Sequence, residues 1–349
     1  MSRTDLPLSA YRPVSTLRVP RTDLDRPRVP AIDAHNHLGE WLTGTWTVPD
    51  VDRLVAVMDA CNVEAIINLD GRWGDELERN LDRYDRTHPG RFATFCQLDW
   101  SALARPGGVE ELVASLRASQ DAGAKGLKVW KDLGLHVRDG SGMLVPPDEV
   151  RLAPIWDAAA ELGSPVTIHT GDPIAFFDPP DATNERLEEL VANPEWSFAD
   201  PRRYPRHEEL LASFERLVAH HPRTTFVGAH VAGAAEDLRW VERVLAAYPN
   251  LHVDIAARIA ELGRQPRAAA RLIERYPDRF LFGTDVFPPD AAEYGVHARF
   301  LETLDEAFPY STDEVPGQGR WTISGLGLSE PTLRAVYAGN ARRILTATG

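Results

Sequence analysis

Two histidines separated by one residue, His35 and His37, close an apolar run that begins at Val29. On an extended strand, residues two apart project from the same face, so both imidazoles can reach one metal ion from a single rigid element. Alone, such a pair is a weak sign, because it more often ends as surface or hydrogen-bonded histidine. Recurrence strengthens it. Three later segments, 165–172, 225–230 and 279–285, are short apolar runs that place His169, His230 and Asp285 at or near their C-terminal ends.

The elements that must position these groups alternate in a countable order. Strand patterns end at His35/His37, Leu69, Leu98, Trp130, His169, His230, Ile255 and Asp285. Between them lie helical patterns at 51–61, 76–88, 109–122, 150–162, 208–221, 234–248 and 266–276. Eight strands, each followed by a helix, predict an α/β fold, a TIM-like (β/α)8 barrel, rather than an open doubly wound sheet. Active sites of that fold sit at the C-terminal strand ends, so residues distant in sequence converge there. Residues 1–28 read as an irregular N-terminal arm, 29–349 as one barrel domain, and 331–345 as a C-terminal helix closing its flank.

From Ile32 to Asp285 the chain resembles the amidohydrolase superfamily of metal-dependent hydrolases, and within it the amidohydrolase-related branch that includes the aminocarboxymuconate semialdehyde decarboxylase-like enzymes. The resemblance implies His35, His37, His169 and Asp285 as ligands of one divalent metal, zinc by preference and manganese as the alternative, with His230 as the catalytic histidine beside Asp285. Superfamily members with two metals bridge them through a carboxylated lysine at a strand end, and Lys128 is the best-placed lysine of strand four. In the single-metal branch it stays unmodified and contacts an anionic substrate, the reading preferred here.

The expected reaction is hydrolysis of an amide, ester or lactone in a small cyclic or aromatic, carboxylate-bearing substrate, through metal-activated water with Asp285 as proton shuttle. The alternative is non-oxidative decarboxylation of a small unsaturated or aromatic acid on the same metal, and a third reading is an inactive metal-binding interaction protein. Arg258 is placed to bind a substrate carboxylate, with an ion pair to an acidic neighbour as the bland alternative. Trp130 and Phe287 suggest an aromatic wall, with packing into the scaffold as the competing explanation. His220 and His221 fit a helix C-terminus, His252 sits in mid-strand, and His88, His207 and His297 lack a partner; all are set aside.

Composition narrows the remaining classes. The chain has 349 residues, 43% hydrophobic, with a net charge of -14, which disfavours nucleic acid and anionic membranes as partners. Two cysteines in apolar stretches exclude a disulfide framework, no run is long enough for a membrane span, and no signal-peptide core or nucleotide-binding glycine loop appears. The expectation is a cytoplasmic enzyme of a small-molecule substrate, with room for a homodimer. The connection 170–206 after strand five, rich in aromatics and proline, reads equally as a lid over the metal or a subunit-contact arm.

Overall fold

Eight short strands, all parallel, order themselves along the chain: β1 (Ala31–Asn36), β2 (Val63–Asn68), β3 (Phe92–Thr94), β4 (Leu127–Val129), β5 (Val166–Ile168), β6 (Phe226–Gly228), β7 (Leu251–Asp254) and β8 (Phe280–Leu281). In this computed structural model the regular ladders run β1-β2-β3 and β4-β5-β6-β7-β8. A few backbone bonds close each of the two seams. Cys96 N donates to Gly126 O at 2.9 Å and Lys125 N to Thr94 O at 2.8 Å, joining β3 to β4. Ala34 N to Phe282 O and Asp285 N to His35 O, both 2.9 Å, join β8 to β1. The result is the expected barrel.

The structure describes residues 6, 7, 10, 11, 13–311 and 313–346. Of the N-terminal arm, residues 1–5, 8, 9 and 12 lie outside that set, as do 312 and 347–349 of the barrel domain. The described part of the arm runs without helix or strand from 13 to 30 and is tied to its own barrel. Thr22 donates from N and Oγ1 to Asp305, each at 2.8 Å, and Arg28 N donates to Glu302 at 3.0 Å. Among the described residues no helix is long and apolar enough to cross a membrane.

Helices cover the strands because each carries one apolar stripe. Helix Gly108–Ala122 buries Leu112 and Leu116, and helix His207–His220 buries Leu210, Leu211, Phe214, Leu217 and Val218. The C-terminal segment from Glu330 to Thr346 buries Leu333, Val336, Tyr337 and Ile344, as its pattern predicts, and Val336 O accepts from Phe282 N at 2.9 Å. Among the helices of ten residues or more, two differ from expectation. The helix after β6 starts at Leu238 rather than at 234, because Asp237 caps it by accepting from Arg239 N and Trp240 N. A twelve-residue helix, Ala291–Glu302, stands where no element is expected. It buries Tyr294, Gly295, His297, Ala298, Phe300 and Leu301, which run around its axis, so it has no clean polar face to betray it.

The long connection 170–206 folds onto the barrel rather than standing free. It contains helix Leu187–Ala192, and Phe176, Leu190 and Phe198 form a small core with Leu135 and Leu210.

Candidate metal centre

β1 delivers His35 and His37 to the rim with their rings 5.3 Å apart, the first fully buried and the second nearly so. Each ring is fixed from behind by a carboxylate. His35 Nδ1 donates to Asp254 Oδ2 at 2.8 Å, and His37 Nδ1 donates to Asp70 Oδ1 at 2.8 Å. Donation from Nδ1 leaves Nε2 as the lone-pair nitrogen, the tautomer that binds a metal. Both Nε2 atoms face Asp285 Oδ1, His35 at 3.8 Å and His37 at 3.3 Å. Ligand atoms of these three residues all lie within 4.8 Å of one another.

The electrostatics fit a cation at that point. Burial works against charging His37, but Asp70 and Asp285 overcome it and push its pKa up to about 9. Burial likewise opposes ionisation of Asp285, yet His35 and His37 hold its carboxyl well below the usual range. His35 is held far below the ordinary imidazole value by burial and by Lys128, and His230 by burial and by His169. An ionised carboxylate among mostly neutral imidazoles, with Asp285 Oδ1 buried and lacking a hydrogen bond, is a donor set for a divalent metal. A proton on His37 and a metal ion are alternative ways to satisfy that same oxygen.

The other sequence candidates surround this cluster. His230 lies with its ring 4.6 Å from His35, donates Nδ1 to Ala256 O at 2.9 Å, and turns Nε2 towards Asp285 Oδ2 at 3.9 Å. His169 packs 4.4 Å from His230, and its Nε2 is buried, without a hydrogen bond, 3.4 Å from Asp172 Oδ1. It therefore stands beside the compact three-residue cluster rather than inside it. Asp172 in turn meets Lys131 Nζ at 2.6 Å. Lys128 is fully buried with Nζ 3.3 Å from His35 Nε2, and burial lowers its pKa to about 8 against the pull of Asp254 and Asp285. Trp130 lies 4.9 Å from the His37 ring with a buried, unpartnered indole N–H, and Phe287 lies 5.4 Å from the same ring. Arg258 is 6% exposed and donates Nη1 to Ala257 O at 2.8 Å; among the described residues no carboxylate lies within 4.0 Å of it, so the ion-pair alternative is not realised.

Local backbone strain marks the same rim. His230 (φ 59°), Ala257 (φ 53°) and Asp285 (φ 59°) occupy the left-handed region without being glycine. Just past β8, where the chain runs beside β1, a Cβ on Gly283 would sit 2.9 Å from His35 Cβ, so glycine is needed there for the two to approach.

Three participants were not read from the sequence. Asp70 and Asp254 orient the β1 histidines, and the signal available was a carboxylate at the ends of β2 and β7. Trp41 donates Nε1 to Asp70 Oδ1 at 2.9 Å and packs 5.0 Å from Trp130, completing an aromatic side; nothing in its loop marked it. Of the histidines set aside, His297 is buried against Phe282 and His207 donates from Nε2 to Gly233 O at 2.9 Å, both within the scaffold.

A family model described as amidohydrolase matches residues 32–346, which includes every candidate ligand. Comparison with curated proteins finds no match. Among solved structures, 2,6-dihydroxybenzoate decarboxylase in complex with 2,6-dihydroxybenzoate is similar over 91% of this chain and 99% of its own, with 17% identity and a TM-score of 0.57. An uncharacterised TIM-barrel protein from Bordetella bronchiseptica is similar over 92% of this chain and 100% of its own, with 16% identity and a TM-score of 0.56. A mutant 5-carboxyvanillate decarboxylase from Novosphingobium aromaticivorans, with bound manganese and a nitrobenzoic acid, is similar over 93% and 100%, with 14% identity and a TM-score of 0.54. At these identities the likeness is one of fold.

Proposed function

The chain belongs to the amidohydrolase family, and from that premise we propose that it is a metal-dependent, non-oxidative decarboxylase of a small aromatic or unsaturated carboxylic acid. The observation that carries the reading is the His35, His37 and Asp285 cluster flanked by two buried cations, Lys128 and Arg258, the second with no carboxylate beside it. The sequence put hydrolysis first. Two solved relatives of similar fold, whose names give an activity, act on aromatic acids by decarboxylation, and this supports the alternative over the first expectation.

A divalent ion held by His35, His37 and Asp285, with His169 as the further donor, supplies Lewis-acid polarisation and a fixed point for substrate oxygens; imidazole and carboxylate donors suit zinc or manganese. Arg258 offers a planar fork of donors to the carboxylate, and Lys128 a second positive charge. Trp130 and Phe287 line the side next to His37 and favour a flat, unsaturated ring. The carbon that loses carbon dioxide must gain a proton. Asp285 Oδ2 and His230 Nε2, 3.9 Å apart and both unprotonated near neutrality, are the pair positioned to take up a proton from solvent and hand it over. A C–H bond to that solvent proton forms, the C–C bond to the carboxylate breaks, and its electron pair restores the unsaturated system as carbon dioxide leaves.

Hydrolysis is the second reading, favoured by one feature. A free-base His230 beside an ionised Asp285 is also what abstraction of a proton from water requires. The two separate by product. Metal-loaded protein in deuterated water is offered hydroxybenzoates and carboxylated phenols alongside lactones and aryl amides. The proposal expects carbon dioxide release from an acid, with one deuterium at the vacated carbon. Cleavage of a lactone or amide with no carbon dioxide from any acid would place the chain with the hydrolases.

A further inference from the structure

After β7 the chain turns through Ala257, presents Arg258, and enters the short helix Ile259–Leu262 that carries Glu261. Arg258 and Glu261 are three residues apart, a spacing at which a cation and an anion on a helical turn ordinarily meet. They do not pair. Glu261, 2% exposed, is in direct contact with Arg186, which reaches in from the long connection 170–206. The other arm of the same guanidinium takes Glu189 at 2.6 Å, and the Arg186 side chain is 1% exposed. Glu236, beside them, is within electrostatic reach of both arginines and leaves Oε2 buried without a hydrogen bond. Three carboxylates and two guanidiniums thus share one interior. Arg186 holds two of the carboxylates, while Arg258 bonds a backbone carbonyl. Glu236 and Glu189 act on Arg258 only at a distance, so a carboxylate in direct contact with this buried guanidinium has to arrive from outside.

We propose that Arg186 is a positioning residue for the substrate carboxylate: by engaging Glu189 and Glu261 it keeps both off Arg258, whose guanidinium then remains open to the substrate. The inference rests on Arg258 as the carboxylate anchor of the reaction above. It assigns the long connection a role beyond that of a wall, since the loop supplies the cation on which the anchor's availability depends. Removing the positive charge of Arg186 releases two buried carboxylates, and Arg258, already within electrostatic reach of Glu189 and three residues from Glu261, is a guanidinium they can turn to.

The test uses Arg186→Gln, the charge-balanced triple variant Arg186→Gln/Glu189→Gln/Glu261→Gln, and Arg258→Met, all as full-length metal-loaded protein. The crystal structure of Arg186→Gln should show Glu261 or Glu189 within about 4 Å of Arg258. Calorimetry with 2,6-dihydroxybenzoate as probe should show binding weakened about tenfold in Arg186→Gln and restored in the triple variant. Where the acid is turned over, KM rises and kcat stays. Both carboxylates remaining clear of Arg258, or weakened binding that the triple variant does not restore, overturns the proposal and reduces Arg186 to a structural bridge. Arg258→Met keeps the two failures apart: if it binds the probe as tightly as the wild type, the anchor assignment is wrong, whatever the carboxylates do.

Discussion

His35 and His37 owe their ligand geometry to Asp254 and Asp70, which take the Nδ1 protons at 2.8 Å each. Asp254 does more than this, since its Oδ1 also accepts from His230 N at 2.9 Å and Ala256 N at 3.1 Å, tying the ends of β1, β6 and β7 to one carboxylate. Replacing Asp254 by Asn keeps an acceptor but removes the charge that makes His35 a strong donor. The expected outcome is metal affinity lower by about ten- to a hundredfold in a chelator competition, with the fold intact by circular dichroism. Unchanged affinity would show that the ring needs no such support. The histidines and Asp285 were legible because each terminates an apolar run, in an order that a barrel brings to one rim. Asp70 and Asp254 also end strands, but a carboxylate carries no mark in sequence of the ring it will face. His169 shows the converse: its strand position was readable, while its contact with Asp172 depends on how the loop after β5 returns.

At the scale of elements, the close approach of the chain after β8 to β1 sets the distance between Asp285 and the β1 histidines. Gly283→Ala places a methyl 2.9 Å from His35 Cβ and 3.3 Å from Ala256 Cβ, so the strands must part. A loss of about 1–3 kcal/mol in stability is expected in denaturant unfolding, with metal affinity reduced in parallel. An unperturbed melting curve and full metal binding would mean that the backbone gives way more easily than the packing suggests. The strand order was readable because seven connections carry helical periodicity. Strand lengths were not: β8 pairs regularly over two residues although the segment read as its strand spans 279–285. Its ends are held by Thr284 on Asp33, with bonds of 2.9 and 2.6 Å, rather than by a ladder. Helix Ala291–Glu302 was invisible because it is wrapped by the arm and the barrel on several sides, with Gly295 against the backbone of Asp25.

The whole molecule carries net charge -14, which repels an anion at long range, while the cations proposed to hold a substrate carboxylate, Lys128 and Arg258, are buried at the rim. Raising ionic strength should therefore change association with a carboxylate less than a surface-cation site would. Global stability has its own titration. Burial lowers the pKa of His297 to about 4, against about 6.5 when unfolded. Between those values the unfolded chain binds a proton that the folded one refuses, so stability is lost as pH falls from about 6.5 to about 4 and is unaffected above. Roughly 3 kcal/mol rides on this window. Denaturant midpoints measured across it should slope less steeply in His297→Phe, and equal slopes would assign the acid sensitivity elsewhere. The barrel brings the ends of β1 and β8 to one point, and the direct test of the proposed metal centre there is metal content. Elemental analysis of wild-type protein and of His37→Ala, each incubated with zinc or manganese and desalted, should give about one metal per chain in the first and none in the second. No retained metal in the wild type, or equal content in the two, would contradict the account.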